Sequence, residues 1–99
     1  MRFANASAAK GWDELCAQVP GNTYNAWVLM RSDPLPRQGR TGRHHPLMGT
    51  LASGVHRGIV LPRWQIEVTG GGRVWYLVDE GRMTVWVDWA GTGHPRATD

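Results

Sequence analysis

The sequence predicts an α+β fold in which an N-terminal αα hairpin packs on one face of a twisted antiparallel sheet, a β-meander. Three observations carry this reading. Apolar residues recur at helical spacing over residues 6–19 and again from Tyr24 to Val28. Bulky and polar residues alternate from Trp64 to Trp89. The turn sequences TGGG and DEGR divide that second region into strands. The 99 residues suffice for a single domain, 1–99, burying roughly two-thirds of its unfolded surface, and are too few for two independent cores.

Taken in order, Ala8, Trp12, Leu15, Cys16 and Val19 form one helical stripe, with Asn5 or Ser7 as N-cap and Pro20-Gly21 as the stop. A second helix is expected from Asn22 or Thr23 to just before Asp33-Pro34, with Tyr24, Trp27 and Val28 on one side. The stretch from Pro34 to Pro46 has no apolar periodicity and reads as a surface loop, and Ile59-Val60-Leu61 reads as extended chain leading into the strand at Trp64. Cys16 is the only cysteine, so no internal disulfide is possible and a small buried side chain is the simplest reading.

Period-two alternation sorts the meander into two faces. With a three-residue glycine loop, Thr69 faces Arg73 and Glu67 faces Trp75; with Asp79 to Arg82 as the next loop, Val78 faces Met83 and Arg73 faces Asp88. Trp64, Ile66, Val68, Val74, Tyr76, Val78, Met83, Val85, Val87 and Trp89 then point at the helices. Gln65, Glu67, Thr69, Arg73, Trp75, Thr84, Trp86 and Asp88 form a polar and aromatic surface open to water or ligand. On that surface Arg73 has two readings, a cross-strand ion pair with Asp88 or a clamp for a phosphate that the neighbouring glycines let come close.

Charge favours an anionic partner. The formal net charge is +3, and the stretch from Arg31 to Arg63 holds six arginines and three histidines against Asp33 alone. Such a block attracts polyanions, and the planar guanidinium fork suits phosphate, so nucleic acid is the natural partner class; a solvated basic loop is the plain alternative. No apolar run approaches the roughly 18 residues of a membrane span, and the N-terminus lacks a signal-peptide pattern, so a cytoplasmic protein with no membrane association is expected. No Cys or His pair has a usual ligand spacing, so neither a metal nor another cofactor is expected.

The order helix, helix, HPLMGTL, RWQIEVTGGGRVWYLVD, TVWVDWAGTGHP resembles the RelE/ParE toxin superfamily of type II toxin–antitoxin systems, in particular a RelE-like branch ending in Gly-His-Pro. The resemblance runs from about Trp12 to His94. It implies two helices against one face of an antiparallel sheet, a cognate antitoxin as protein partner, and mRNA on the ribosome as target. Translation is blocked when a ribose 2′-hydroxyl attacks the adjacent phosphate without metal. That chemistry needs a base, an acid and positive charge over the phosphorane. By resemblance, Arg73 is assigned to the scissile phosphate, His45 to the base and His94 to the acid. Arg43, His44, Arg57 and Arg63 are candidate RNA contacts, and Trp75 and Trp86 are candidate stacking platforms. In this chain the segment Ser53 to Leu61 intervenes where relatives pass almost directly into the strand. The same resemblance leaves open a ParE-like toxin that inhibits DNA gyrase without cutting, and an inactive RNA- or antitoxin-binding relative.

Overall fold

Helix formation starts where Asn5 caps it. In the computed structural model, which describes residues 1–36 and 41–93, α1 spans Ala6–Gln18. The Asn5 side-chain oxygen accepts from the Ala8 amide at 2.7 Å, satisfying one of the donors that a helix start leaves unpaired. Ala8, Gly11, Trp12 and Leu15 make the buried stripe. Cys16, expected inside, is exposed, because one residue beyond Leu15 turns it about 100° off that stripe.

The second helix, α2, spans Pro20–Ser32 and so begins earlier than Asn22. Proline opens it instead of ending its predecessor: at the first helical position its missing amide would have had no partner anyway. Its buried residues are Thr23, Ala26 and Met30, while Tyr24 and Val28, expected inward, are exposed.

Among the described residues six strands complete the fold: β1 (Arg2–Phe3), β2 (His44–Pro46), β3 (Ser53–His56), β4 (Ile59–Glu67), β5 (Arg73–Asp79) and β6 (Thr84–Gly91). They run in the order β1-β6-β5-β4-β2, with β3 paired to β4. β1 lies parallel to β6, so the sheet is mixed, with the antiparallel meander β4-β5-β6 at its centre. The expected loop from Pro34 to Pro46 ends as strand β2, in register His44↔Ile66 and His45↔Gln65. The segment Ser53 to Leu61 is a hairpin arm, closed by Arg57 and Gly58 at φ 52° and 79°, two successive positive values as in a type I′ turn. Leu61 packs on Leu77 and Trp86, which folds this arm onto the sheet face opposite the helices.

Register differs from expectation while the faces largely survive. Glu67, rather than Thr69, pairs with Arg73, and Val85, rather than Met83, pairs with Val78. A shift of two changes partners but not sides. Trp64, Ile66, Val68, Val74, Tyr76, Val78, Val85 and Val87 therefore lie in the core beneath the helices, as expected. Met83 does not: it is 95% exposed, since it takes a left-handed conformation after the 3-10 turn Glu80–Arg82.

A further departure comes from a bulge. Tyr76 pairs with Val87 but Trp75 pairs with Trp89, leaving Asp88 as an extra residue in β6; an inserted residue reverses the alternation beyond it. Trp89 therefore joins Trp75 on the outer face, at 6.2 Å between ring centroids, and Ala90 takes the core position. Helix packing depends on this exchange. A Cβ on Gly11 would stand 1.7 Å from the Ala90 carbonyl oxygen, so α1 rests directly on the β6 backbone. The Asn5 side-chain amide also donates to the Asp88 carbonyl at 3.2 Å, tying the helix start to the bulge.

Candidate nucleic-acid interface

The outer face is built by alternate residues of β4, β5 and β6 and roofed at one end by the arm. Arg73 is on this face by parity, yet its guanidinium does not project from it. The residue is 8% exposed, and its Nη1 donates to the carbonyls of Thr69, Gly70 and Gly72 at 3.2, 3.3 and 3.3 Å. The Glu67 carboxylate lies at 3.6 Å. Both readings of Arg73 from the sequence are therefore corrected: the ion-pair partner is Glu67 rather than Asp88, and the charge is turned onto the glycine turn rather than offered to a ligand. The reason is local, because a turn with few side chains presents its carbonyls bare, and a guanidinium with five donors satisfies several of them together.

The glycines serve the same packing. None of the three lies in the left-handed region. A Cβ on Gly72 would meet Thr69 Oγ1 at 2.9 Å and Leu15 at 3.2 Å, and one on Gly71 would meet the Thr92 carbonyl at 3.0 Å, while Gly70 faces open space. The space that Gly71 and Gly72 clear is filled by this chain itself.

The two adjacent histidines part company. His44 is 7% exposed, edge-on to Trp64, with Nε2 bonded to the Tyr76 hydroxyl at 2.5 Å. That hydroxyl donates to the Pro34 carbonyl at 2.9 Å, so the imidazole is the donor in the first bond. Burial pushes the His44 imidazole down and the Tyr76 phenol up, with Asp33 opposing the former shift and adding to the latter. His44 is thus a core residue, a correction to its expected RNA contact.

His45 faces outward, because strand pairing makes neighbours alternate. Its Nδ1 donates to the Pro46 carbonyl at 3.0 Å, which leaves Nε2 to accept from the Gln65 amide at 3.4 Å. Gln65 is fixed in turn, its Oε1 accepting from the Trp75 indole at 2.8 Å. The chain Trp75, Gln65, His45 fixes the imidazole's tautomer, with the Nε2 lone pair taken by a long bond from the Gln65 amide, and Gln65 is a member that sequence reasoning placed on this face without a role.

Arg63 is the central cation of the face. Nε and Nη2 both reach Asp88 Oδ2 at 2.9 Å, and Nη1 donates to the carbonyls of Leu51 and Ser53 at 3.2 Å each. The guanidinium carbon lies 5.7 Å from the Trp75 ring centroid. Gly54 permits this crossing, since a Cβ there would stand 2.4 Å from Arg63 Nη2. Arg63 therefore pins the arm to the sheet. Burial pushes the Asp88 carboxyl up, and the Arg63 charge and hydrogen bond oppose that shift.

At the arm's tip, the His56 ring lies 4.2 Å from the Trp86 ring, and the exposed Arg57 sits 5.0 Å over the same indole. Neither expected stacking platform is bare: Trp75 and Trp86 are 5% and 6% exposed. Arg43 is exposed but lines a hollow of about 200 Å³ with Asn22, Asn25 and Leu29, and is not brought to the Trp86 cluster. His94 lies outside the described residues. A larger hollow of about 350 Å³, between Met30, Pro34, Asp79 and Met83, contains none of the candidate residues.

The structure thus brings His45, Arg57, Arg63, Trp75 and Trp86 onto one face, joined by His56, Gln65 and Asp88. Among the described residues no group of His, Cys, Asp and Glu is placed to hold a metal, and no helix is long and apolar enough to cross a membrane. Compared with protein-family models, curated proteins and solved structures, the chain matches none.

Proposed function

We propose that this chain is the toxin of a type II toxin–antitoxin pair and acts on mRNA in the ribosome through the outer face of its sheet, as a metal-independent endoribonuclease. The observation that carries the reading is the grouping on that face of an outward imidazole of fixed tautomer with two guanidiniums and two indoles. His45 Nε2, once the 2′-hydroxyl displaces its 3.4 Å bond from the Gln65 amide, is the base that takes the 2′-hydroxyl proton. Arg57, exposed at the arm tip, supplies positive charge to the phosphate in place of Arg73, Arg63 adds only its field because its nitrogens are bonded to Asp88, Leu51 and Ser53, and His94 remains the proposed acid. The cognate antitoxin is the proposed protein partner, covering this face.

The test is a cell-free translation reaction to which the purified protein is added. Arrest with cut message is expected, and His45→Ala lowers cutting by about 100-fold or more if it is the base, without loss of the folded circular dichroism signal. Message that stays whole at high protein concentration defeats the nuclease reading. The engagement of Arg73 by three carbonyls and Glu67 favours a second reading, a ParE-like toxin that binds DNA gyrase and cuts nothing. A supercoiling assay separates the two.

A further inference from the structure

Beneath the arm, two buried polar atoms have no hydrogen-bond partner among the described residues, His56 Nε2 and Asp88 Oδ1. Both belong to the Trp86 cluster. Asp88 stands two residues along β6 from Trp86, and its other oxygen, Oδ2, takes both donors of Arg63. His56 lies on the Trp86 ring. Buried donors and acceptors are ordinarily paired, and an unpaired one is costly. The arm tip therefore supplies Trp86 with a ring but gives Asp88 Oδ1 no donor.

We propose that the tip of the β3–β4 arm occupies a nucleobase site, with the His56 ring lying on Trp86 where an unpaired RNA base stacks, and Asp88 Oδ1 placed to accept from that base's exocyclic amine. This deepens the RNA-directed reading above and rests on it. A base bearing an amine satisfies both features at once, a flat ring for the indole and an N–H for the carboxylate. Uracil supplies the ring, but its imino N–H is flanked by two carbonyls that a carboxylate repels.

The arm is built so that its tip can leave alone. Its base is held by Leu61 against Leu77 and Trp86 and by Arg63 on the Leu51 and Ser53 carbonyls. Its outward pair, Val55 and Val60, is exposed on both members, so the tip is packed on one side. Displacement of His56 and Arg57 uncovers Trp86 and leaves Arg57 free to follow the RNA backbone.

The experiment compares short cytidine and uridine RNA homopolymers of one length, binding to the full chain, by fluorescence anisotropy at fixed salt. Cytidine is expected to bind about tenfold more tightly than uridine, the scale of one hydrogen bond to a carboxylate, since both bases stack. His56→Ala, which empties the competing ring, tightens cytidine binding several-fold; His56→Phe, which covers the indole more fully, weakens it. A role in folding alone would not move the two variants in opposite directions. Equal affinities for the two polymers overturn the proposal, as does His56→Ala binding no more tightly than the parent. If His56→Ala fails to fold, the comparison of polymers on the unaltered chain still decides. Cut message without base preference removes this site and leaves the nuclease reading standing; base preference without cut message does the reverse.

Discussion

The two faces of the sheet are made by one alternating pattern and solve different problems. Beneath the helices, Val74, Tyr76 and Val87 are fully buried among apolar neighbours, and the polar groups that enter, His44 and Tyr76, are bonded to each other and to Pro34. On the outer face, burial comes from the arm and from crossing guanidiniums, and two polar atoms remain unpaired among the described residues. Apolar packing is non-directional and tolerates burial on all sides. Covering charged groups requires matched geometry, and where the match is incomplete a surface is left that a ligand can complete.

The largest loss of stability is expected at the helix face. Gly11→Ala forces α1 off Ala90 and is expected to cost about 3 kcal/mol, read as a fall in the denaturation midpoint. On the outer face, Arg73→Ala strips the glycine turn of its donor and leaves Glu67 alone. A loss of about 2 kcal/mol is expected, so a drop in cutting by this variant without a drop in stability would restore Arg73 as a ligand clamp. Tyr76→Phe leaves the His44 donor buried without its acceptor and costs about 1–2 kcal/mol.

The smallest effect has opposite sign on the two faces. His44 has its pKa lowered on folding by burial, so the unfolded chain takes the proton first, and stability is lost as pH falls from the ordinary histidine range, about 6.5, through the lowered value. Asp88 has its pKa raised, again chiefly by burial. The folded chain takes that proton first, and stability is lost as pH rises from the ordinary carboxylate range through the raised value. Thermal midpoints against pH should lose the first slope in His44→Gln and the second in Asp88→Asn. A parent profile unchanged by either variant would show that neither burial is felt.

Much of the fold was legible because alternation and capping are local. Asn5 was recognisable as a cap, and the parity of Trp64 to Val87 survived although both turns closed with a different register, since a slip of two residues is invisible to the faces. Pro20 opens α2 instead of only closing α1, because proline stops one helix and starts another equally well. Cys16 was misplaced because a stripe drawn from periodicity alone does not say how wide the covered face is. At the site, His45 and His44 could not be separated while β2 was unseen, and a histidine in a loop carries no parity. The pairing of Arg63 with Asp88 depends on the two-residue shift at both turns, which sets Arg63 opposite Leu77 and Leu77 opposite Trp86, and face parity does not reveal such a shift.

Which side of the sheet most strand residues take is written in the order of residues, because each peptide unit reverses the next whatever the partner strand. Tertiary structure alone decided where the charges end: Arg73 on its own turn, Arg63 beneath the arm, His44 in the core. A guanidinium or an imidazole seeks any acceptor within its reach, and which carbonyls and carboxylates come within reach is set by strands far apart in the chain.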